Sequence, residues 1–590
     1  MQKITRSEFL KMGALGVAAS FAPSSLWSLS KSETNDENLL QHLIKNNDAS
    51  VDRFLEFGER RFGFQYYRPY SEAFAVFTAS YCQPDSKHYK SQILATKMQD
   101  IISKLLQVQY PDGTLDAGGN RQSPPDTAFM VESLCPSLFI LNQQNFSELD
   151  SVKEGLKKFL LNAGEGLRTG GVHTPNHRWV ISCALARLYS IFKDEKYVKR
   201  IDEWLAEGID INEDGQYSER SRNYSVVVDN SLLNIGRILN RPELYEPVKK
   251  NLLSTYYYME TNGDLITLDS RRQDQNYPLS MSMYYLFYRY LAIYNNDETF
   301  GAITKEIERF DDFEKRVLSQ SLIYFMENPA LLNEIKTNKE PEKDFSKLIP
   351  LSGLARIRRG NITASIFGGN DKPVIISSGR STNPTFFTFR KGSAFLDYAR
   401  LSTSFFNTGY FRSDGVEKDG NKFYLSEKKE AYYYLPLPED KRNANGDYKL
   451  SQSLDGRFWS KMDFDSRPHS TMAIETKINI EEENGSFKIN FNVDGAKDVE
   501  VILELCFKAD GKLDGVAPGF EKDDYFLKEG FAKYSFGNDI IEIGPGKAEH
   551  NNVRQLDGEE YSTHFGSIKG KGMHVYLTGY VPFKHSITIK

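Results

Sequence analysis

From residue 37 to about residue 336, apolar residues recur at three- and four-residue spacing. The clearest runs are Ile93–Val108, Val152–Ala163, Trp179–Phe192, Lys196–Leu205, Ser231–Leu239 and Met281–Tyr294. This is the period of helices that bury one face. Gly-centred turns separate them at Pro111–Thr114, Gly164–Gly171, Glu213–Gln216 and Thr261–Asp264. A turn about every 50 residues leaves room for two helices, so the pattern predicts a stack of helical hairpins. The turns are rich in polar and aromatic residues, as a shared cleft requires. We therefore expect an α/α toroid over 37–336 rather than a simple solenoid.

The pattern changes at residues 337–349. The charged stretch Thr337–Lys347, which contains Pro341, reads as a linker. Beyond it, Ile362–Phe367, Pro373–Ser377, Thr385–Arg390, Ser470–Ile480, Ser486–Val493, Val499–Phe507 and Met573–Tyr580 alternate or run apolar between Gly, Asn and Asp turns. Many short strands over 350–590 predict an antiparallel β-sandwich. The expected fold is multidomain, a helical toroid followed by a β-sandwich.

The chain is 590 residues long, 40% hydrophobic and 26% charged, which suits a globular protein of two or three domains. Aromatic residues reach 13%, enough to fill contacts between elements and still stack on sugar rings. The net charge is -6 and no Lys/Arg-rich run occurs, so nucleic acid is excluded as a partner. An acidic ligand would need a local basic cleft. The four cysteines form no CxxC or Cys/His cluster, which argues against thiolate zinc. Cys82, Cys135 and Cys183 lie in apolar helical runs and read as buried free thiols.

Residues 1–30 read as an export signal. Lys3 and Arg6 precede the short apolar run Met12–Ala22, although Ser7 departs from a twin-arginine motif. The mature chain is expected in the periplasm. No later stretch reaches the ~18 apolar residues of a membrane span.

Candidate chemistry gathers in two turns. The first holds Asn176-His177-Arg178-Trp179 at the start of a helix. The second holds Tyr217, Arg220, Arg222 and Tyr224. Cleaving a uronic-acid glycan by β-elimination requires the carboxylate to be neutralised, a base near the C5 proton, and an acid near the leaving oxygen. Asn can donate to a carboxylate, His can donate or accept, and a phenol among guanidinium groups is easier to ionise. Asn176, His177 and Tyr224 are the expected catalytic residues, with Tyr217 the rival base. Arg178, Trp179, Arg220, Arg222, Arg271 and Arg272 are candidates for binding an acidic polysaccharide or oligosaccharide, as are Gln122 and Asp126 in the segment Asn120–Thr127. The bland readings are a helix cap for Asn176 or Asp126, a salt bridge for Arg178, and core packing for Trp179, Tyr217 and Tyr224.

Asn176-His177 followed by Tyr224 resembles the polysaccharide lyases built from an α/α toroid and an antiparallel β-sandwich, the alginate, heparinase and chondroitin lyase groups. The resemblance covers the domain order of nearly the whole chain. It implies that Asn176 neutralises the uronate, that His177 is proton acceptor or carboxylate partner, and that Tyr224 is the acid/base. A His or Tyr from the sandwich also contributes in many members, and Tyr410 and His469 are the candidates here. The His-Ala-Asp pattern of the heparinase II-like sandwich is absent. No HExxH, HxH or EF-hand loop occurs. No cofactor is therefore expected, which leaves scattered carboxylates as the one way to hold a divalent cation.

Two other functions fit the sequence. A hydrolase on the same toroid would use two carboxylates roughly 5–10 Å apart, drawn from Asp126, Glu219, Asp229 and Asp269. A non-catalytic glycan-binding protein of the envelope is the other.

Overall fold

The computed structural model describes residues 36–57, 66–276, 278–369, 383–406, 408–456, 458–553 and 570–590. The export segment 1–30 and Pro373–Ser377 lie outside these residues.

Among the described residues, twelve α-helices occupy the N-terminal half. They are α1 (Glu37–Phe57), α2 (Arg68–Cys82), α3 (Gln92–Val108), α4 (Pro124–Asn142), α5 (Asp150–Thr169), α6 (His177–Phe192), α7 (Glu195–Leu205), α8 (Arg222–Leu239), α9 (Tyr245–Tyr256), α10 (Tyr285–Asn295), α11 (Glu298–Ile307) and α12 (Ser319–Glu327). The inner helices α2, α4, α6 and α8 pack on one another in sequence, α8 touches α10, and α12 returns against α2 and α4. Each odd-numbered helix backs its neighbours as an outer ring. Sequence dictates the division. Outer α7 buries only Tyr197 and Ile201, one turn apart, whereas inner α4 is buried along nearly its whole length.

One expected turn is corrected. Gly164 and Gly166 lie inside α5, which continues to Thr169. A Cβ on Gly164 would strike the Tyr197 ring, and one on Gly166 would strike the Asp112 carbonyl. These glycines permit close packing of α5 rather than ending it.

Among the described residues the C-terminal half forms two large sheets. One has nine strands, with Glu500–Lys508 between Gly572–Tyr580 and Ala394–Thr403 and with Asp344–Ile349 at one edge. The other has eight strands, centred on His469–Glu483, Ser486–Gly495 and Phe583–Ile589. Among the described strands pairing is antiparallel except where Asp524–Phe526 runs parallel to Gly572–Tyr580, and an isolated parallel bridge joins Ala548 to Thr578. The two inner faces interleave Phe387, Phe389, Phe487, Phe491 and Leu503 in one core. The sandwich begins inside the expected linker, because Asp344–Ile349 pairs fully with Leu354–Arg359. The alternation of Phe345 and Ile349 with charged residues is that of an edge strand.

The two domains share a core, since Ile349, Leu354 and Phe367 pack into the toroid's apolar cluster. Buried polar links join them as well. Arg356 pairs with Glu260 at 2.8 Å, and Thr363 donates to the same carboxylate. All four cysteines are buried and free. Among the described residues no helix is long and apolar enough to cross a membrane.

Candidate active site

Inner helices α2, α4, α6 and α8 begin at residues that carry the candidate chemistry: Arg68 opens α2, Asp126 lies in the first turn of α4, His177 opens α6 and Tyr224 lies in the first turn of α8. Helix N-termini carry partial positive charge and unpaired N–H groups, which favour an anionic ligand.

Asn176 occupies the N-cap position of α6, but its side chain makes no capping bond. It is fully buried and points across the toroid, where Nδ2 donates to Glu219 Oε2 at 2.9 Å. Nδ2 also lies 3.3 Å from Thr174 Oγ1, while Oδ1 has no partner among the described residues. The other Glu219 oxygen accepts from Arg272 Nη1 at 2.5 Å. Arg272 Nη2 in turn reaches the Tyr224 hydroxyl at 3.4 Å, and its guanidinium carbon stands 4.5 Å from the Tyr224 ring centroid. An amide, a carboxylate, a guanidinium and a phenol thus form one continuous chain.

The start of α8 is fixed from two sides. Ser221 caps it by accepting from the Tyr224 amide at 3.2 Å. Asp274 accepts from the Ser221 hydroxyl at 2.9 Å and from the Asn223 amide at 3.3 Å. Because Asp274 lies two residues beyond Arg272, the same anchor positions the guanidinium over Tyr224.

His177 is buried, its Nδ1 has no protein partner among the described residues, and its ring meets His173 edge-on at 4.6 Å. Burial, aided by His173, Arg68 and Arg272 and opposed by Asp126, pushes the imidazole down to about 4. It is therefore neutral at physiological pH and able to accept a proton. Asp126 is held by Arg68, by Asn120 at 3.0 Å and by Ser123 at 2.6 Å. Burial raises its carboxyl, but these partners outweigh burial and hold it below the usual range.

No family model and no curated protein matches the chain. Among solved structures it is similar to heparinase III at 10% identity and a TM-score of 0.58, over 99% of this chain and 88% of that one. It is also similar to the chondroitin AC lyase of Streptomyces coelicolor A3 at 11% identity and a TM-score of 0.54, over 94% and 82%. A Paenibacillus xanthan lyase matches at 8% identity and a TM-score of 0.54, over 95% of this chain and 58% of that one. The chain has the toroid-plus-sandwich fold of these polysaccharide lyases. At such identities the likeness is one of fold.

Several residues expected to bind glycan in this fold are placed elsewhere. Trp179 is 3% exposed within the toroid core and offers no stacking face. Arg178 turns to Glu207, just beyond outer helix α7, at 2.8 Å. Arg222 is buried with its guanidinium 4.0 Å from the Tyr258 ring centroid and 3.7 Å from Asp269. Arg220 is buried and donates to the Leu351 carbonyl at 3.2 Å, so it joins toroid to sandwich. Burial pushes its guanidinium down to about 10. The rival base Tyr217 is buried and donates to Asp229 at 2.7 Å; burial and that carboxylate push its phenol well above the usual range.

Gln122 and Arg271 are exposed on the rim. Gln122 belongs to the short hairpin that also carries Asn120, and Arg271 donates to the Ser218 carbonyl at 3.3 Å. Tyr410 and His469 sit in sandwich surroundings. Tyr410 is 6.0 Å from the Arg400 guanidinium, and the exposed His469 packs on Tyr432 at 4.4 Å. Buried His550 meets the Gly579 carbonyl at 3.0 Å.

Sequence reading missed Glu219 as the link between Asn176 and Arg272, and missed Arg68 and His173 beside Asp126 and His177. Glu219 lies in the quoted loop, but nothing local pairs it with an amide 43 residues away.

Proposed function

We propose that this protein is a polysaccharide lyase that cleaves a uronic-acid-containing glycan by β-elimination. The observation that carries the reading is the chain Asn176–Glu219–Arg272–Tyr224 beside a neutral His177, at the N-terminal ends of the inner helices. His177 accepts the C5 proton, since its imidazole is neutral and Nδ1 is unengaged among the described residues. Tyr224 donates to the leaving oxygen, and Arg272 stabilises the charge that develops on the phenol oxygen. Asn176 neutralises the uronate. Its N–H groups now face Glu219 and Thr174, so this role requires the amide to turn about its terminal torsion when substrate enters. Residues 1–30 fit an exported, periplasmic enzyme that meets such glycans outside the cytoplasm.

A hydrolase is less well supported. Its four candidate carboxylates are engaged: Asp126 by Arg68, Glu219 by Arg272, Asp229 by Tyr217, and Asp269 by Tyr258 at 2.9 Å with Arg222 nearby.

The test is ultraviolet absorbance during digestion of a panel of uronate-containing glycans. Elimination leaves a conjugated unsaturated uronate that absorbs. New reducing ends without that absorbance would indicate hydrolysis, and binding without turnover would indicate a glycan-binding protein. Tyr224→Phe should abolish turnover and retain binding.

A further inference from the structure

The chain Asn176–Glu219–Arg272–Tyr224 lies within the toroid, yet the loops that carry Glu219 and Arg272 are each held by the sandwich. Asn383 donates to the Gln275 carbonyl at 3.3 Å, three residues beyond Arg272. The backbone of Leu351 engages the Glu219 loop twice. Its amide donates to Asp214 Oδ2 at 2.7 Å, and its carbonyl accepts from Arg220 Nη1 at 3.2 Å. The Leu351 side chain is 55% exposed, so the turn makes the contact and the side chain does not. Sequence shapes that turn. Pro350 opens it with a fixed φ, and Gly353 closes it at φ +62°, where a Cβ would come within 2.9 Å of the Gly369 amide nitrogen.

Arg220 has a backbone conformation that needs such support. Its φ is +45°, in the left-handed region that side chains other than those of asparagine and aspartate seldom adopt. A residue persists there when surrounding contacts over-determine it, and such residues gather at functional sites. Within the toroid the Arg220 amide donates to the Tyr217 carbonyl at 2.9 Å, and its carbonyl accepts from Arg222 Nη2 at 2.6 Å. From the sandwich the Leu351 carbonyl holds its guanidinium. The residues that follow are fixed, because Ser221 caps α8 and Arg222 is buried beside Asp269. Relaxation of φ from +45° to the ordinary helical value of about −63° would turn the preceding peptide by about 110°. That turn carries the Glu219 carboxylate away from Asn176 and Arg272.

We propose that Arg220 is a positioning residue: anchored on the sandwich turn at Leu351, it holds the left-handed backbone that aims Glu219 at Asn176 and Arg272. The sandwich thereby sets the orientation of the guanidinium that faces Tyr224. It acts through Glu219 and Arg272 rather than by contact between Arg220 and the glycan. The proposal rests on the lyase reading, since the network it orients is the one assigned to the elimination.

The experiment uses the full chain and the glycan that gives the strongest ultraviolet signal. The values of kcat and KM are measured at a temperature where circular dichroism shows each variant folded. Arg220→Ala removes the anchor and leaves a side chain that disfavours positive φ. Its kcat should fall about tenfold or more, with KM within about twofold of wild type. Arg220→Gly removes the same anchor but adopts positive φ freely, so its kcat should exceed that of Arg220→Ala by about threefold or more. Asp214→Ala cuts the other bond to Leu351 at a half-buried position and should lower kcat about threefold or more. Asp214→Asn keeps an acceptor oxygen for the Leu351 amide and should restore kcat. The Asp214 pair decides if neither Arg220 variant folds. Equal kcat in Arg220→Ala and Arg220→Gly, wild-type kcat in Asp214→Ala, or a raised KM at unchanged kcat would overturn the positioning role and leave the lyase reading intact. Absence of chromophore from every uronate glycan would remove the lyase reading and this proposal together.

Discussion

The depressed basicity of His177 ties the candidate site to stability and can be tested without a substrate. Unfolded, its imidazole titrates near 6.5; folded, burial and then His173, Arg68 and Arg272 bring it to about 4. Between these values the unfolded chain holds a proton that the folded chain does not. Stability is therefore fully present above pH 6.5 and is lost as pH falls toward 4. The whole effect is about 3 kcal/mol, and integration down to pH 5 gives about 2 kcal/mol. The side chain is buried, so solvent screening discounts this little. Urea denaturation of wild type and His177→Gln at pH 7.5 and pH 5.0 isolates the term, because every other titrating group is common to both proteins. The wild type should lose about 2 kcal/mol more than the variant on acidification. Histidine-labelled NMR should show one resonance that titrates near 4 and disappears in His177→Gln. Equal pH sensitivity in the two proteins, with the resonance lost in His177→Gln titrating near 6.5, would refute a buried neutral base.

Other consequences follow from the same geometry. Arg272→Met should lower kcat about 10²–10³-fold with little change in KM, because the guanidinium acts on charge that develops at the phenol oxygen; a change confined to KM would make Arg272 a binding residue. Glu219→Gln leaves Arg272 without its largely buried partner and should cost about 3 kcal/mol in toroid stability, read by denaturation, together with a loss of turnover. Trp179→Ala should cost about 3–5 kcal/mol through a core cavity, whereas Trp179→Phe should leave KM unchanged; a raised KM in a stable Trp179→Phe protein would return Trp179 to the glycan.

The hydrophobic pattern determined the order of helices and strands, because a three- to four-residue period and an alternating period each commit a segment to one way of burying its apolar face. It also brought Asn176, His177 and Tyr224 into view as polar residues at helix starts. Local pattern misled where a residue's surroundings come from distant segments. Gly164 reads as a turn until Tyr197 is seen lying against it. Asp344–Ile349 reads as linker until Leu354–Arg359 pairs with it. Arg220, Arg222 and Trp179 read as cleft residues because charge and aromaticity are visible in sequence while burial is not.

Tertiary structure alone decided that one carboxylate, Glu219, joins Asn176 to Arg272 and through it to Tyr224, across loops 43 and 53 residues apart in the chain. It also decided that His177 is neutral. Desolvation and the field of neighbouring charges depend on what the toroid gathers around a side chain. A sequence specifies that toroid, but neither effect can be read from any single stretch of it.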